Sequence, residues 1–328
     1  MRSDLHIAVV GSFAVGLTMK VDRFPASGET VLGMGYRTDH GGKGSNQAVG
    51  CARLGARVSL VARIGQDAFG EMALELYRSE GVETRWVRQT PGSATGVGFI
   101  LVRPEGGENR IALDPGANDE LTSQDVLESG EALASAQVVL TQLEIPAAAA
   151  EAALADGRAR GAITILNPAP ARPLPSAILS LADILTPNET EAKVLLGHPP
   201  QAEVSSEELG RELLARGPKQ VVLTLGEEGA LVVTTEFEAR IPPLPVPVVD
   251  TTGAGDAFNA GLAVALGNGA DLESAARFAV VAGGLAVTKE GVIPSLPYRQ
   301  DVLMCLARNK LAVPEWLRSR DDHGTGAA

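Results

Sequence analysis

The chain has 328 residues, 45% of them hydrophobic, so it can bury the core of one large α/β domain or of two ordinary ones. Its formal net charge of −12 argues against a nucleic-acid partner, because such a partner requires a basic face. Apolar runs fall far short of the roughly 20 residues that cross a bilayer, and Cys51 and Cys305 are too distant in sequence to suggest a disulfide framework. We therefore expect a cytoplasmic protein that binds no membrane.

The first part of the chain combines short strands with two helices. Strand-like runs bounded by turn residues come at 7–10, 30–38, 96–102 and 111–113. Apolar residues at helical spacing predict helices over 46–54 and 68–79, which end at Gly55 and Gly81. The strands after the first look antiparallel. We interpret them as a small projecting lid over a cleft, and the alternative is an edge extension of the main sheet.

The pattern of apolar residues changes near residue 138. Short apolar strands alternate with Ala-rich and Leu-rich helical segments, and the strands come at 138–140, 163–166, 184–185 and 221–225. This alternation predicts a three-layer α/β/α sandwich with a mostly parallel central sheet. We expect a single domain over 1–318, with lid strands from about 13–40 and 95–115, and a flexible tail over 319–328.

The first motif with chemical meaning is GGKGSNQA, residues 41–48. It is not a Walker A loop, because Lys43 is followed by Gly44 and not by Ser or Thr. A glycine turn here would bring Lys43 and Asn46 close to a ligand. The amide of Asn46 donates and accepts hydrogen bonds at once, which suits vicinal hydroxyls. The alternative is an ordinary helix start.

Two further motifs follow predicted strands. In TPNETEA, Asn188 and Glu191 are three residues apart at a strand-to-helix junction, which suits Mg²⁺ held through water and phosphates or, alternatively, a capping box. In LTLGEEGA, Gly226 and Gly229 would let a flat ring or a phosphate chain approach the backbone, although a simple β-turn fits equally well. Paired glycines elsewhere lack the third glycine of a dinucleotide fingerprint, which argues against a dehydrogenase.

The segment DTTGAGDAFNAG, residues 250–261, precedes a helical pattern over 257–266. The glycines would lie at a helix N-terminus, where free amides and the helix dipole attract an anion such as a phosphate. A carboxylate repels a bound phosphate, so Asp256 needs another role, and general-base catalysis fits. A plain helix cap is the alternative, but Thr251 and Thr252 already offer capping hydroxyls.

Taken in order, these segments resemble the ribokinase-like (PfkB) carbohydrate kinase family over nearly the whole chain. The resemblance is carried by GGKGSNQAVGCARLGA, TQLEIP, NPAPARPLP, ILTPNETEA, TLGEEGA and DTTGAGDAFNAG. It implies ATP-dependent transfer of the γ-phosphoryl group to a primary hydroxyl of a small sugar. It also implies Mg²⁺, a monovalent cation, usually K⁺, and a homodimer formed through the lids.

The resemblance also implies a role for particular residues. Asp256 would be the catalytic base, and the anion hole would be Gly253, Ala254 and Gly255. The sugar would be held by Gly42, Lys43, Asn46, Glu144 and Asp256. The nucleotide would lie against Asn188, Thr224, Gly226, Glu227, Gly229 and Gly255, with Asn188 and Glu191 acting on Mg²⁺ and the phosphates. The K⁺ site would comprise Asp250, Thr252, Ala286, Lys289, Gly291 and Ser295.

One stretch departs from the family pattern. Ribokinases carry Gly-Ser-x-Asn-x-Asp after the first strand, with the Asn and Asp on sugar hydroxyls, whereas residues 11–16 here read GSFAVG. Ala14 and Gly16 thus replace two sugar-reading groups, which favours a non-ribose sugar. Asp39 or His40 is a candidate to fill the gap. A nucleoside kinase and a non-catalytic sugar or nucleotide sensor of the same fold are the alternative functions.

Overall fold

The structure is a computed structural model that describes residues 5–103, 105 and 108–317, so the predicted tail over 319–328 lies outside the described residues. The strands are β1 (His6–Val10), β2 (Ala14–Val21), β3 (Gly33–Gly41), β4 (Arg57–Gly65), β5 (Val82–Glu83), β6 (Val87–Thr90), β7 (Gly96–Val102), β8 (Asn109–Asp114), β9 (Val138–Thr141), β10 (Ile163–Leu166), β11 (Ile184–Leu185), β12 (Gln220–Thr224), β13 (Ala230–Val233) and β14 (Glu238–Ile241).

The α-helices are α1 (Lys43–Arg53), α2 (Ala68–Glu80), α3 (Ser123–Glu128), α4 (Gly130–Ala134), α5 (Ala147–Ala159), α6 (Ser176–Leu179), α7 (Glu189–Leu196), α8 (Ser206–Ala215), α9 (Ala254–Gly267), α10 (Leu272–Ala286), α11 (Val292–Ser295) and α12 (Arg299–Arg308). Short 3₁₀ turns lie at Gly116–Glu120, Gly226–Glu228 and Glu315–Leu317.

The main sheet has the strand order β14-β13-β12-β11-β10-β9-β1-β4-β5, with β6 also paired to β4. Its pairs are parallel from β5 to β12, and at one margin β13 is reversed, so that its pairs with β12 and β14 are antiparallel. Alternate residues of the central strand β1 enter two separate cores. Ile7 and Val9 pack in the core that contains α1, α9 and α10, and Ala8 and Val10 pack in the core that contains α5 and α8. The predicted three-layer fold is confirmed.

A second sheet, which we call the lid sheet, has the strand order β3-β2-β7-β8. The prediction of a separate small sheet is confirmed, and the alternative of an edge extension is wrong. The pairing is not wholly antiparallel, however, because β2 and β7 run parallel. The sequence analysis named no separate strand at β2, although Val15, Leu17, Met19 and Val21 alternate with smaller or polar residues.

Within the described ranges, no helix combines the length and apolar character that crossing a bilayer requires.

Candidate active site

The parallel strands of the main sheet all end at one edge, and the chain leaves this edge with polar residues. Ser12 follows β1, Glu144 follows β9, and Asn167 follows β10. Asn188 follows β11, and Gly226 follows β12. Ligands of open α/β sheets bind outside the carboxyl ends of the strands. The predicted motifs are therefore brought to the edge of the sheet where such a ligand is expected.

Helix α9 begins at this edge without a side-chain cap. Its N-cap is Gly253 in the left-handed region at φ 82°, and Asp256 lies in its first turn with 6% exposure. The capping hydroxyl that Thr252 offers is not used for the helix, because it donates to Asp250 at 2.6 Å. No acceptor among the described residues takes the amides of Gly255 and Asp256. The positive end of the helix is thus open to an anion.

The Asp256 carboxylate is held from outside its own helix. It accepts hydrogen bonds from Asn46 Nδ2 at 2.8 Å on Oδ2 and from Gln47 Nε2 at 2.9 Å on Oδ1. Both donors lie on α1, which begins at Lys43 and not at the predicted residue 46. Asp256 is therefore not a plain helix cap, since its oxygens face a neighbouring helix. Hydrogen bonds to a charged group contribute about 1.5–3 kcal/mol each, which fixes the orientation of this carboxylate.

The start of α1 is brought close to β1 by a glycine. A Cβ on Gly44 would lie 2.3 Å from the amide nitrogen of Ser12, so no side chain fits at this position. The Lys43 amide donates to Glu144 Oε2 at 2.8 Å, and the Ser12 hydroxyl donates to the same oxygen at 2.6 Å. The glycine turn thereby joins the ends of β1, β9 and α1 into one wall, and Glu144 Oε1 receives no donor from the described residues.

Lys43 lies among carboxylates. Burial alone would lower the pKa of its ammonium group, but three carboxylates outweigh burial and hold this pKa above its usual value. They belong to Asp256, Glu144 and Glu191. The predicted sugar-binding residues therefore share one electrostatic environment with a residue of the predicted Mg²⁺ site. Nearby, Asn46 Oδ1 is buried and accepts no hydrogen bond from the described residues, which leaves an acceptor for a ligand hydroxyl.

Sequence reasoning missed the polar network behind Asp256. Gln47 Nε2 also donates to Asn167 at 3.0 Å, and Gln47 accepts from Gln142 Nε2 at 2.6 Å. The three side chains are at most 6% exposed. The signal was available, because these residues lie inside the motifs GGKGSNQA, NPAPARPLP and TQLEIP. Nothing in the sequence indicated which side Gln47, the residue after Asn46, faces.

The residues predicted to act on Mg²⁺ form the capping box that the sequence left as an alternative. Asn188 Oδ1 accepts from the Glu191 amide at 2.8 Å, and Glu191 Oε2 accepts from the Asn188 amide at 2.9 Å. Burial raises the pKa of Glu191 above its usual value, although the bond from Asn188 and the charge of Lys43 oppose this rise. Glu191 therefore caps α7 and also reaches the electrostatic field of the cleft.

The predicted nucleotide residues lie next to this box. Thr224 forms an isolated parallel bridge with Asn188, so the ends of β11 and β12 are joined. Gly226 has φ 57°, and a Cβ there would meet nothing within 4 Å, so its backbone is open to a ligand. Glu227 lies on the same exposed 3₁₀ turn, which ends at Gly229.

Two of the predicted K⁺ residues, Thr252 and Gly291, contact Asp250 directly. Its Oδ1 accepts from the amide and the hydroxyl of Thr252, and its Oδ2 accepts from the Gly291 amide at 3.0 Å. Burial would raise the pKa of Asp250, but these bonds outweigh it and hold this pKa below its usual value. The Lys289 amide lies 3.5 Å from the Ala286 carbonyl, and the Ser295 hydroxyl donates to Val292 at 2.8 Å. The Asp250 amide donates to the Val287 carbonyl at 3.2 Å, so a carboxylate and a backbone carbonyl, both hard oxygen donors that alkali cations prefer, are adjacent.

The two candidates for the sugar-reading gap lie on opposite faces of the lid sheet. His40 pairs with buried Val15, and its ring lies 6.4 Å from that of Phe13. Burial lowers the pKa of His40 below its usual value. Asp39 pairs with Gly16, on the face that also carries Ala14. Of the two, only Asp39 is therefore placed beside the missing groups.

The family comparison decides the class of this site. A model of the pfkB family carbohydrate kinases matches residues 4–299. The chain belongs to the pfkB family of carbohydrate kinases. The expected ATP-dependent phosphotransferase with a hydroxyl group of a sugar as acceptor is confirmed at the level of this family.

Individual relatives agree with the family match. The chain is 39% identical to a ribokinase of Bacillus subtilis over 297 residues, covering 90% of this chain and 98% of the relative. It is 38% identical to a ribokinase of Haemophilus influenzae, covering 92% and 98%. Among solved structures, a ribokinase of Thermotoga maritima superposes with a TM-score of 0.84 at 34% identity, covering 92% of this chain and 99% of that one. A ribokinase of Arabidopsis thaliana complexed with ribose and ATP superposes with a TM-score of 0.85 at 33% identity, with the same coverage.

Proposed function

We propose that the protein transfers the γ-phosphoryl group of ATP to a primary hydroxyl of a small sugar at the cleft between the lid sheet and helix α9. The observation that carries this proposal is the placement of Asp256. Its buried carboxylate is oriented by Asn46 and Gln47, and it lies in the first turn of a helix where the amides of Gly255 and Asp256 have no acceptor among the described residues. A base and an anion site adjoin each other, as phosphoryl transfer to an alcohol requires.

The proposed mechanism assigns separate tasks to the two ends of this turn. Asp256 accepts the proton of the sugar hydroxyl as its oxygen attacks phosphorus. The amides around Gly253, Ala254 and Gly255 stabilise the negative charge on the oxygens of the transferred group. Because a positioned base contributes about 10²–10⁴ in rate, the amides and the alignment of the substrates must supply the rest.

Binding of the sugar falls to the wall opposite α9. Lys43 donates from an ammonium that its neighbours keep charged, and Glu144 offers its free Oε1 to a hydroxyl. Asn46 offers the buried Oδ1 that lacks a donor. Gly42, at φ 88°, keeps the backbone of this wall clear, since a Cβ there would lie 2.6 Å from the Cα of Phe13.

We further propose that Asn188 and Glu191 hold Mg²⁺ through water and the phosphates, and that Thr224, Gly226, Glu227 and Gly229 line the nucleotide site. One amide oxygen and one carboxylate are too few for a protein cage but suit a hydrated ion. Mg²⁺ would neutralise charge on the phosphates. We propose the Asp250 cluster, with Thr252, Ala286, Lys289, Gly291 and Ser295, as the K⁺ site that steadies the start of α9.

We also propose a cytoplasmic homodimer formed through the lid sheet. On the face of this sheet that points away from Asp39, large apolar side chains are exposed: Tyr36 by 63%, Phe99 by 55% and Met19 by 37%. Such a concentration on one small sheet is typical of a surface that another protein covers. A second copy of the chain is the occupant we propose, since a symmetric pairing of lids would bury both apolar patches at once.

The experiment is an ADP-release assay with Mg·ATP and a panel of acceptors: D-ribose, 2-deoxy-D-ribose, D-fructose and nucleosides. We expect ADP release that requires a sugar, and NMR of the product should place the new phosphoryl group on a primary hydroxyl. Turnover restricted to nucleosides would favour a nucleoside kinase instead. Sugar binding by calorimetry without any turnover would identify a sensor and overturn the proposal.

A further inference from the structure

A carboxylate stands beside the gap at position 16 of the lid sheet. Gly16 of β2 pairs directly with Asp39 of β3. A Cβ built on Gly16 would lie 3.9 Å from the Cβ of Asp39. Directly opposed residues of an antiparallel pair project from the same face of the sheet. Asp39 therefore borders the space that a side chain at position 16 would enter.

This face of the lid sheet is turned toward the candidate active site. Ala14, two residues before Gly16 on the same face, lines a cavity of about 160 Å³ together with Glu144. Arg37, two residues before Asp39, donates to Glu290, which directly precedes Gly291 of the Asp250 cluster. The face thus looks onto the sugar-binding wall on one side and onto the start of α9 on the other.

Asp39 is oriented, and one of its oxygens is left available. Arg37 Nε donates to Asp39 Oδ2 at 2.6 Å, while Arg37 Nη1 donates to Glu290 Oε1 at 2.6 Å. No donor among the described residues contacts Asp39 Oδ1. The side chain of Asp39 is 29% exposed, so it is partly shielded yet reachable from the cleft. Because the guanidinium binds one oxygen of the Asp39 carboxylate, the other oxygen can accept hydrogen bonds from hydroxyl groups.

We propose that Asp39 is a specificity-determining residue of the sugar site, which reads hydroxyls of the acceptor from strand β3. It takes over the task that the family pattern places on an aspartate at position 16 of β2. Arg37 is a positioning residue, because it holds Oδ2 of Asp39 and pairs with Thr18, two residues along β2 from Gly16. This inference rests on the proposed function, since it concerns the same cleft and the same acceptor.

The surroundings indicate what kind of acceptor fits. Gly16 also pairs with Gly98 of β7, so two neighbouring strands carry no side chain at this level. A Cβ on Gly98 would meet only Leu113 Cδ1, at 3.8 Å. The carboxylate lies on β3 instead of at position 16 of β2, and the space beside it is empty. This arrangement suits a sugar whose hydroxyl pair, or an added substituent, projects toward β3.

The first test replaces Asp39 by Ala and measures kinetics with the best acceptor of the panel. We expect the KM for the sugar to rise about 30-fold or more, because a charged group that accepts hydrogen bonds from two sugar hydroxyls is lost. The KM for ATP should stay within about 2-fold, since the nucleotide lies at the far strands. Thr38→Ala is the matched control, because Thr38 is exposed on the opposite face of the same strand.

The second test returns the carboxylate to position 16 of β2. A side chain fits at position 16, since the nearest atom to a Cβ there is Ile100 Cδ1 at 3.5 Å. Gly16→Asp alone would place two carboxylates side by side, so we expect no gain. The double variant Gly16→Asp with Asp39→Ala should recover about 10-fold in kcat/KM for D-ribose relative to Asp39→Ala.

The outcomes separate the two proposals. An active wild type with an unchanged sugar KM in Asp39→Ala overturns the role of Asp39 alone. A rise of the KM for ATP by the same factor as the KM for the sugar also overturns it, because it indicates a general loss of structure. A wild type that phosphorylates no sugar overturns the proposed function, and this inference with it. Calorimetric titration of the sugar without ATP gives an independent readout of the expected loss.

Discussion

Gln47 Nε2 lies 2.9 Å from Oδ1 of Asp256 and 3.0 Å from Oδ1 of Asn167, so a single amide group ties helix α9 to the end of strand β10. Gln47 is fully buried, and its own carbonyl is taken by Gln142. The proposed base is thus oriented by a side chain whose own orientation is fixed by its other hydrogen bonds. Orientation of this kind matters because a small misplacement of a reacting group costs rate steeply.

We expect Gln47→Leu to lower kcat about 10-fold to 100-fold while the KM for ATP stays unchanged, because only the orientation of the Asp256 carboxylate is lost. Steady-state kinetics with the best sugar check this. The control is Gln89→Leu, since Gln89 is exposed and contacts Glu71. In an Asp256→Asn background, Gln47→Leu should cost nothing further. Independent, additive losses would show that Gln47 does not act through Asp256.

Two neighbouring glycines of the anion site should respond differently to the same change. At Gly255 a Cβ would meet nothing within 4 Å, so Gly255→Ala should fold normally and lower kcat about 10-fold to 100-fold by crowding the phosphoryl group. At Gly253 the backbone has φ 82° and a Cβ would lie 2.7 Å from Val292 Cγ1. Gly253→Ala should therefore lower the free energy of unfolding by about 2 kcal/mol. Chemical denaturation and kinetics of both variants check the contrast, and equal stability losses would contradict it.

Replacing K⁺ by tetramethylammonium at constant ionic strength should lower the kcat/KM of the wild type by about 10-fold. Asp250→Asn should abolish this dependence, because a neutral amide cannot balance the charge of a bound cation. The variant should keep its low activity in either salt. Asp22→Asn serves as a control on an exposed loop residue. A wild type that is indifferent to K⁺, or a variant that is still activated, would rule out the proposed K⁺ site.

Acid should remove the contribution of Asp125 to stability. Burial would raise the pKa of Asp125, yet its contacts with Arg63 and Thr122 outweigh burial and lower this pKa to about 2. A folded pKa below the unfolded value of about 4 stabilises the protein above pH 4, and this stabilisation is lost as the pH falls toward 2. Asp125→Asn should therefore cost about 2 kcal/mol at pH 7 and much less near pH 2.5. Urea unfolding at several pH values measures this, and a pH-independent difference would contradict it.

The sequence predicted the layers and the motifs better than their contacts. Continuous apolar strands between helical segments predicted a parallel sheet buried on both faces, and a glycine motif located the N-terminus of α9. The pattern could not show that α1 begins at Lys43, because helical spacing starts with the first apolar residue and the turn before it is polar. The parallel pairing of β2 with β7 joins residues about 80 apart, which no local signal encodes.

The side-chain partners were also beyond the sequence. Thr252 has the right chemistry for a helix cap, but the nearby Asp250 takes its hydroxyl. Asn188 and Glu191 suit both a capping box and an ion, and only the folded structure shows that the box is formed while Glu191 still influences Lys43. In each case two roles need the same residue types, and tertiary placement decides between them.

The central claim is that Asp256 removes the proton of the acceptor hydroxyl while the amides at the start of α9 hold the phosphoryl group. The most direct measurement is kcat of Asp256→Asn with the best sugar, alongside calorimetric ATP binding. Asp271→Asn is the matched control, since Asp271 caps α10 and asparagine caps equally well. We predict a fall in kcat of about 10³-fold or more with ATP binding retained, whereas a variant that keeps more than about a tenth of the wild-type rate would contradict the claim.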